Sequence, residues 1–541
     1  MPGLISKIIL QVKKETKVNN YLKTFLLIIF LTNLIKSQSA WIPETSFGNS
    51  GTTRINFGSA HSDYPNDMLL LPDNKILIGG ITTSSTEGYF VSMTQLFENG
   101  QIDTSNFGVD GKVLIHFVGR DQANVLKLQN DGKILAAGSE ANSNASSAIT
   151  PSLYRFNADG TVDTSFGNGG RAVHRFTGNS AGSLYGIKVL DDGRILVTGV
   201  SSTIHGFGAM QFLSNGQLDT TFGNGGIARI NYSIGGHSVA SLFLPDNSIL
   251  MATVDISPTN IVLARMDAFG NPYQNFGNNG IVETGIVGKY NFSGGETLLL
   301  TEDNKILLSA TTPNSSPTKF SVFRFFLDGS IDSTFGTYGR ADIQLTSDDV
   351  CYNMKFDAEG KILLVGKVSG DGGRAGLVRL NSDGTPDTTF APDGKFIYDL
   401  NSVYGTNYLR SCLPLSNGDI LAAGFDYTSN SGDYVVVKLT QNPTGVEYQN
   451  SIKPTDFVLY QNYPNPFNPT TKISYSIPER SNVILKVYDV LGNEVANLVN
   501  EEKDRGVYSI NFDASALASG MYLYRLQAGS FIETKKLILI K

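Results

Sequence analysis

The sequence predicts an all-β protein, a seven-bladed β-propeller followed by a small Ig-like β-sandwich, and three observations carry that prediction. A phenylalanine motif recurs at Phe47, Phe107, Phe166, Phe222, Phe276, Phe335 and Phe390, a period of about 54 to 60 residues. An isoleucine-centred motif falls between successive phenylalanines, at Ile76, Ile134, Ile195, Ile249, Ile306, Ile362 and Ile420. The last part of the chain alternates apolar and polar residues, the period of a strand with one buried face.

Composition agrees. At 541 residues the chain exceeds what one hydrophobic core serves, so several domains or a repeat that spreads the core are expected. Hydrophobic residues at 41% and charged residues at 17% are those of a globular protein, and 57 glycines with 31 phenylalanines against a single tryptophan point to many turns and a repeated aromatic. The net charge of −7 is uneven: the beginning is lysine-rich and the middle acidic. An acidic surface repels phosphate backbones, so no nucleic-acid partner is expected. Cys351 and Cys412 sit at different offsets in their repeats, which excludes a disulfide framework and leaves two unpaired, packed thiols.

The first element, residues 1–40, reads as a signal peptide. Lysines from Lys7 to Lys23 precede the apolar run from Phe25 to Leu31, which ends near Ile35, and Ser37, Ser39 and Ala40 supply small residues for cleavage. The run is shorter than the ~20 residues a membrane-spanning helix needs, so no transmembrane helix is expected in the mature chain.

Residues 41–442 form the repeat array. One period reads as four short strands, for example 124–128, 133–137, 152–156 and 171–176, with Asp131-Gly132 joining the first pair as a type I′ hairpin. An isolated four-stranded sheet cannot bury both faces, whereas sheets stacked around an axis can. The last period supplies strands near 411–415, 419–423 and 434–439 and lacks a fourth. Residues 52–57, ahead of the first complete hairpin, are expected to insert beside 434–439 and close the ring. An outer-membrane barrel needs longer strands, about nine to eleven residues each, and a linear solenoid would leave the two ends apart.

The repeat core, fullest at Asp159-Gly160-Thr161-Val162-Asp163-Thr164-Ser165-Phe166-Gly167, resembles the delta-sixty repeat family, a propeller-like repeat of bacterial secreted proteins. Two units depart from it: residues 268–276 lose both acids, and Phe390-Ala391 loses the glycine.

After a linker at 443–455, residues 456–541 read as a compact antiparallel sandwich. The strings Tyr460-Gln461-Asn462-Tyr463-Pro464-Asn465-Pro466-Phe467-Asn468-Pro469-Thr470-Thr471, Val487-Tyr488-Asp489-Val490-Leu491-Gly492 and Phe512-Asp513-Ala514-Ser515-Ala516-Leu517-Ala518-Ser519-Gly520-Met521-Tyr522, closing on Thr534-Lys535-Lys536, resemble the type A C-terminal sorting domain of the type IX secretion system. That resemblance implies the type IX machinery as partner, passage across the outer membrane of a Bacteroidota-type bacterium, and release or attachment to surface lipopolysaccharide.

Site chemistry is sparse. The repeated Asp103, Asp163, Asp219, Asp332 and Asp387 could ligate calcium only if more carboxylates converged; the simpler expectation is that each caps backbone N–H groups in a turn while the following Phe fills the space between blades. His61, His116, His174, His205 and His237 share no metal-ligand spacing. No nucleophile elbow or phosphate loop stands out, and Gly167-Asn168-Gly169-Gly170 follows a repeated turn. No catalytic, metal or cofactor residue is therefore assigned, and the ligand-binding residues are unknown. The irregular stretches 139–150 and 201–208 break the symmetry and are the first places to look for a site. The expected function is an exported, non-enzymatic scaffold that binds glycan or protein; the alternative is a secreted hydrolase with its site at the propeller mouth. Three or more Asp, Glu or His converging on the central channel would favour the second.

Overall fold

The computed structural model describes residues 40–541 apart from 59–60, 87, 142–148, 179–180, 202–205, 233–238, 255–259, 289–295, 313–315, 370–373, 399–406, 428–431, 443–456, 460–461, 463–464, 505 and 541. The expected signal peptide except Ala40, the linker 443–455 and the centres of the stretches 139–150 and 201–208 lie outside the described residues. Two compact units are present, one made of the repeats and one holding the C-terminal domain.

The repeat unit is built from four-stranded antiparallel sheets whose strands neighbour one another in chain order. One comprises Gly182–Val189, Ile195–Ser201, Gly206–Phe212 and Ile227–Asn231. Every residue of its second and third strands is buried, which explains why Ile-Leu-Val-Thr-Gly-Val-Ser and Gly-Phe-Gly-Ala-Met-Gln-Phe show no polar alternation. Such strands have both faces covered. Three further separate sheets repeat this order, running from Ala240–Phe243 to Ile281–Val287, from Leu298–Leu300 to Arg340–Ile343, and from Asp349–Phe356 to Lys395–Tyr398. The remaining repeats share one larger sheet, their four-strand sets joined by the single parallel bridges Tyr89 to Arg120 and Gly432 to Ser62.

The two ends of the repeat array meet as the sequence indicates. Thr52–Ile55 pairs antiparallel with the strand Gly432–Asn442, Thr52 opposite Val437 and Ile55 opposite Tyr434. A preceding strand, Ala40–Pro43, extends the same edge, with Ala40 opposite Asn442 and Pro43 opposite Leu439. The first strands also pack in succession from His61–Leu70 through Arg120–Leu128, Gly182–Val189, Ala240–Phe243 and Leu298–Leu300 to Asp349–Phe356. Asn407–Pro414 completes the circuit: Cys412 Sγ donates to Asn353 Oδ1 at 3.4 Å, and Arg410 Nη1 donates to Asn66 Oδ1 at 2.6 Å.

The recurring markers share one environment. All seven phenylalanines and all seven isoleucines are buried. Phe166, for instance, packs between Leu135, Ala137 and Leu153 of its own repeat and Leu184, Ile195, Val197 and Met210 of the next. The turn glycine of that next repeat, Gly216, has φ +88 and lies so close to the Phe166 ring that a Cβ would approach it to 3.0 Å. Gly167 N–H then donates to Asn215 O at 2.8 Å, tying one sheet to the following turn. The unit that loses this glycine sits at the closing seam. There Trp41 Nε1 donates to Phe390 O at 2.8 Å and its ring lies 5.0 Å from that of Phe390, so the N-terminal segment supplies the contact that a glycine turn makes elsewhere.

Local expectations need two corrections. The Asp131-Gly132 hairpin is not type I′, which requires positive φ at two central residues. Only Gly132 has positive φ, 83°, and the bonds Gly132 N–H to Gln129 O and Gln129 N–H to Lys133 O make a type I turn closed by a bulge. Asp131 Oδ1 accepts the Lys133 N–H at 3.1 Å and fixes the turn from outside the ladder. The strands of that repeat are Arg120–Leu128, Ile134–Ala141, Thr150–Phe156 and Arg171–Val173. The first three run beyond the expected bounds because neighbouring sheets continue the burial, and the last stops short, leaving buried Phe176 outside it.

In the C-terminal unit, a three-stranded sheet (Val458–Leu459, Thr470–Ile477, Gly506–Asp513) and a four-stranded sheet (Glu494–Lys503, Ser481–Tyr488, Gly520–Ala528, Phe531–Leu539) share one core, with Ile473, Tyr475 and Ile477 from the first and Val483, Leu485, Val487, Tyr524 and Leu526 from the second. Two asparagines of the proline-rich motif are structural. Asn462 Nδ2 donates to Thr471 Oγ1 at 3.0 Å, and Asn465 Oδ1 accepts the Ile538 N–H of the last strand at 2.8 Å.

Candidate functional site

The two ends of the repeats differ. At one end, the loops 71–75, 129–133, 190–194, 244–248, 301–305, 357–361 and 415–419 close with the same backbone bond, such as Leu71 N–H to Lys75 O and Leu415 N–H to Asp419 O, both 2.8 Å. At the other end, the connections after the second strands vary, spanning 85–87 in the first repeat and 142–149 in the second. Variation confined to one face is where a repeat scaffold carries function.

The repeated aspartates are fully engaged at the regular end. Asp163 Oδ1 accepts the Ser165 N–H at 3.1 Å and its hydroxyl at 2.5 Å, as the turn-cap expectation requires. Its Oδ2 accepts Lys133 Nζ and Arg155 Nε, each at 2.7 Å. Burial by itself would raise the Asp163 pKa; the hydrogen bonds from Lys133 and Ser165, with the Arg155 charge, outweigh it and hold the carboxyl well below its usual range. Asp332 repeats the arrangement with Thr334, Lys305 and Arg324. Sequence reasoning missed these cations. For Arg155 and Arg324 the signal was the Arg next to last in the third strand; for Lys133 and Lys305 it was the Lys or Arg directly before the repeated isoleucine. Where the acid becomes Tyr273, that residue becomes Ser248 and Arg265 turns to Asp246 at 2.9 Å, so acid and cation disappear together.

Among the described residues the histidines form no metal-binding cluster. His205 and His237 lie outside the described residues, His61 and His116 flank Phe90 with ring centroids 5.8 and 5.0 Å away, and His174 packs at 5.7 Å from Phe212. Among the described residues, no group of three His, Cys, Asp or Glu side chains could hold a metal ion. Cys351 and Cys412 are free and buried, and burial pushes both thiols up to about 12.

The irregular end carries its own acids. Asp63, Asp121 and Asp349 cap the segments that enter the first strands: Asp63 accepts the Phe57 N–H at 3.0 Å, Asp121 the Phe117 N–H at 2.8 Å and Asp349 the Leu345 N–H at 2.7 Å. Burial pushes Asp63 up to about 6 against its bonds from Phe57 and Thr82, with the Asp433 charge adding to the rise. Deeper along the first strands, burial pushes Asp67 up to about 6 against the Lys355 charge, while Asp67 accepts the Leu126 N–H across the sheet boundary at 2.9 Å. Lys355 Nζ lies 2.7 Å from Glu296 Oε2. These carboxylates hold the ring together.

Among the side chains that stay partly exposed there is an aromatic and cationic group. Tyr64, Tyr352 and Tyr408 are half-buried on three consecutive first strands. Arg410 lies among them, its guanidinium 5.6, 5.8 and 5.5 Å from the three ring centroids. Phe425 backs the group, its ring stacked 4.8 Å from Tyr64 and 5.3 Å from Tyr408. Neither this patch nor its residues figured in the sequence expectations. Two surface hollows, of about 250 and 800 Å³, lie instead by the regular turns, one against Trp41, Asp357 and Asp419 and the other against Asp73, Asn130 and Asp159.

Fold and tail together define an exported β-propeller protein. Residues 461–541 match the secretion system C-terminal sorting domain, and residues 71–105, 129–166, 190–222, 301–335 and 358–390 match the β-propeller described as a domain of unknown function, DUF5122. The sorting domain directs the protein to the type IX machinery and to the cell surface or extracellular space. No helix among the described residues is long and apolar enough to cross a membrane. No curated protein matches the chain.

Solved structures similar to this chain share little sequence with it. PorZ of the type IX secretion system of Porphyromonas gingivalis is 11% identical, over 88% of this chain and 74% of that one, with a TM-score of 0.28. A protein of unknown function from Dyadobacter fermentans is 11% identical over 72% of this chain and 98% of that one, TM-score 0.42. The polysaccharide lyase Uly1 is 9% identical over 75% of this chain and 98% of its own, TM-score 0.40.

Proposed function

We propose that this protein is an exported, non-enzymatic scaffold that binds a glycan or protein partner at the irregular end of a seven-bladed ring of delta-sixty repeats. Residues 1–40 act as the signal peptide, 41–442 as the propeller, 443–455 as linker and 456–541 as an Ig-like sorting sandwich that leaves the protein released or held by surface lipopolysaccharide. The observation that carries the binding role is the division of labour at the irregular end. There the carboxylates Asp63, Asp121 and Asp349 accept backbone N–H groups, while Tyr64, Tyr352, Tyr408 and Arg410 keep surface free. Aromatic faces with a few polar groups are the usual lining of a ligand site. Screening the mature protein against glycan and protein arrays, beside a panel of glycoside and polysaccharide substrates, tests this reading: saturable binding without turnover is expected. The hydrolase alternative rests on Asp63, a buried carboxyl raised to about 6. Turnover abolished by Asp63→Asn would establish that alternative and overturn the scaffold.

A further inference from the structure

Within the repeat unit, buried arginines are neutralised as a rule. Arg155, Arg324 and Arg379 each have a carboxylate oxygen within 2.9 Å of Nε. Arg120, Arg374 and Arg410 depart from that rule: each is part-buried with no hydrogen-bond partner at Nε and, among the described residues, no carboxylate paired with it. Of the three, Arg410 is the one set among three tyrosine rings, its Nη1 donating to the neutral Asn66 Oδ1 and its side chain hydrogen-bonded to Tyr408. Leaving a guanidinium half out of water without an anion is unfavourable, and the faces of Tyr64, Tyr352 and Tyr408 compensate only in part, cation–π contacts at such sites giving about 0.5 to 2 kcal/mol.

We propose that Arg410 receives the anionic group of an acidic sugar, a carboxylate or sulfate on a pyranose of a polysaccharide, whose apolar ring face lies against the tyrosines. The inference deepens, and rests on, the binding-scaffold reading. Its chemistry follows from the geometry. Nε is buried and Nη1 is held by Asn66, so an anion meets the outer, half-exposed part of the guanidinium, through the short charge-assisted bonds that arginine gives a carboxylate or sulfate. The tyrosines supply flat apolar surface with hydroxyls at the rim, which suits a ring bearing both C–H faces and hydroxyl edges. A protein of net charge −7 that leaves Arg410 without a carboxylate partner among its tyrosines discriminates by charge. It would repel polyanions generally and retain those that can seat an anion on Arg410.

Calorimetric titration of the mature full-length protein with three oligosaccharides of equal length, one of uronic acid, one sulfated and one neutral, tests the proposal. Binding of the uronate or the sulfated oligomer, weakening as salt rises and reduced about ten- to a hundred-fold by Arg410→Gln, is expected; which of the two binds names the anion. Arg410→Lys keeps the charge and loses the fork, so it should bind between the two. Tyr352→Ala should weaken binding without changing its salt dependence. Unfolding curves matched to wild type show that each variant is folded, and should Arg410→Gln fail to fold, the Lys and Tyr352 variants decide. Binding of the neutral oligomer equal to that of the anionic ones, or anionic binding unchanged in all three variants, overturns this assignment. It leaves the scaffold reading standing, since that reading falls only to turnover or to the absence of any ligand on the arrays.

Discussion

At the residue scale, the repeat signature is a set of physical constraints. Gly132 and Gly160 have the same φ, 83°, but a Cβ on Gly132 would meet nothing closer than 3.8 Å, while one on Gly160 would come within 2.6 Å of Val113 and 3.0 Å of Phe107. Gly132→Ala is therefore expected to cost about 1 to 2 kcal/mol, from backbone strain alone. Gly160→Ala should cost a further 1 to 3 kcal/mol or so from overpacking, measured by chemical denaturation. The carboxylates predict two opposite pH dependences. Asp163 has its folded pKa held below the ordinary 3.8, so its contribution is present above that value and is lost as pH falls through the folded pKa. For Asp63, raised from 3.8 to about 6, the contribution is full below the lower value and is lost as pH rises through the upper one. Thermal melts across pH should thus show Asp63→Asn flattening the slope between the two values and Asp163→Asn flattening the acid limb. A wild-type slope retained in either variant would show that another group carries it.

At the element scale, the strand pattern was legible where one face is wet and ambiguous where both faces are buried. The motif Lys133-Ile134-Leu135-Ala136-Ala137-Gly138 marks a second strand by its position after a turn, not by alternation, because all of Ile134–Ala141 is buried. The expected closing strand at 52–57 is found as Thr52–Ile55, since the outer strand has to match the apolar register of Tyr434 and Val436. Ala40–Pro43 escaped notice because four residues carry no readable period, and its role depends on pairing with residues about 400 positions away. Trp41, the single tryptophan, lies buried in this seam. Its emission should shift to the red when the seam opens. Deleting residues 40–57 should abolish cooperative unfolding and yield aggregation-prone protein, because an edge strand and one face of a sheet are left open. A soluble, cooperatively melting truncation would refute closure as the source of stability.

At the scale of the whole molecule, destination and binding chemistry are separate problems. The residues that make the sorting domain recognisable also build its fold, as Asn462 and Asn465 do through Thr471 and the last strand, so a short signature there is dense in information. Deleting residues 461–541 is expected to retain the protein inside the outer membrane, seen by fractionation, while leaving the propeller's melting transition unchanged. The binding surface left no comparable trace in the sequence. Tyr64, Tyr352, Tyr408 and Arg410 are drawn from three repeats, and none belongs to the shared motif.

The sequence by itself determined the all-β class, the period, the identity of the plugging phenylalanines and the route out of the cell, because those features are repeated locally and depend on neighbours a few residues apart. Only the tertiary structure decided which acids are spent on backbone N–H groups, which cations join Asp163 and its equivalents, and that Arg410 sits among three tyrosines without a carboxylate. Those depend on side chains brought together when the first strands pack into a circuit, and separations of tens to hundreds of residues leave no periodic record.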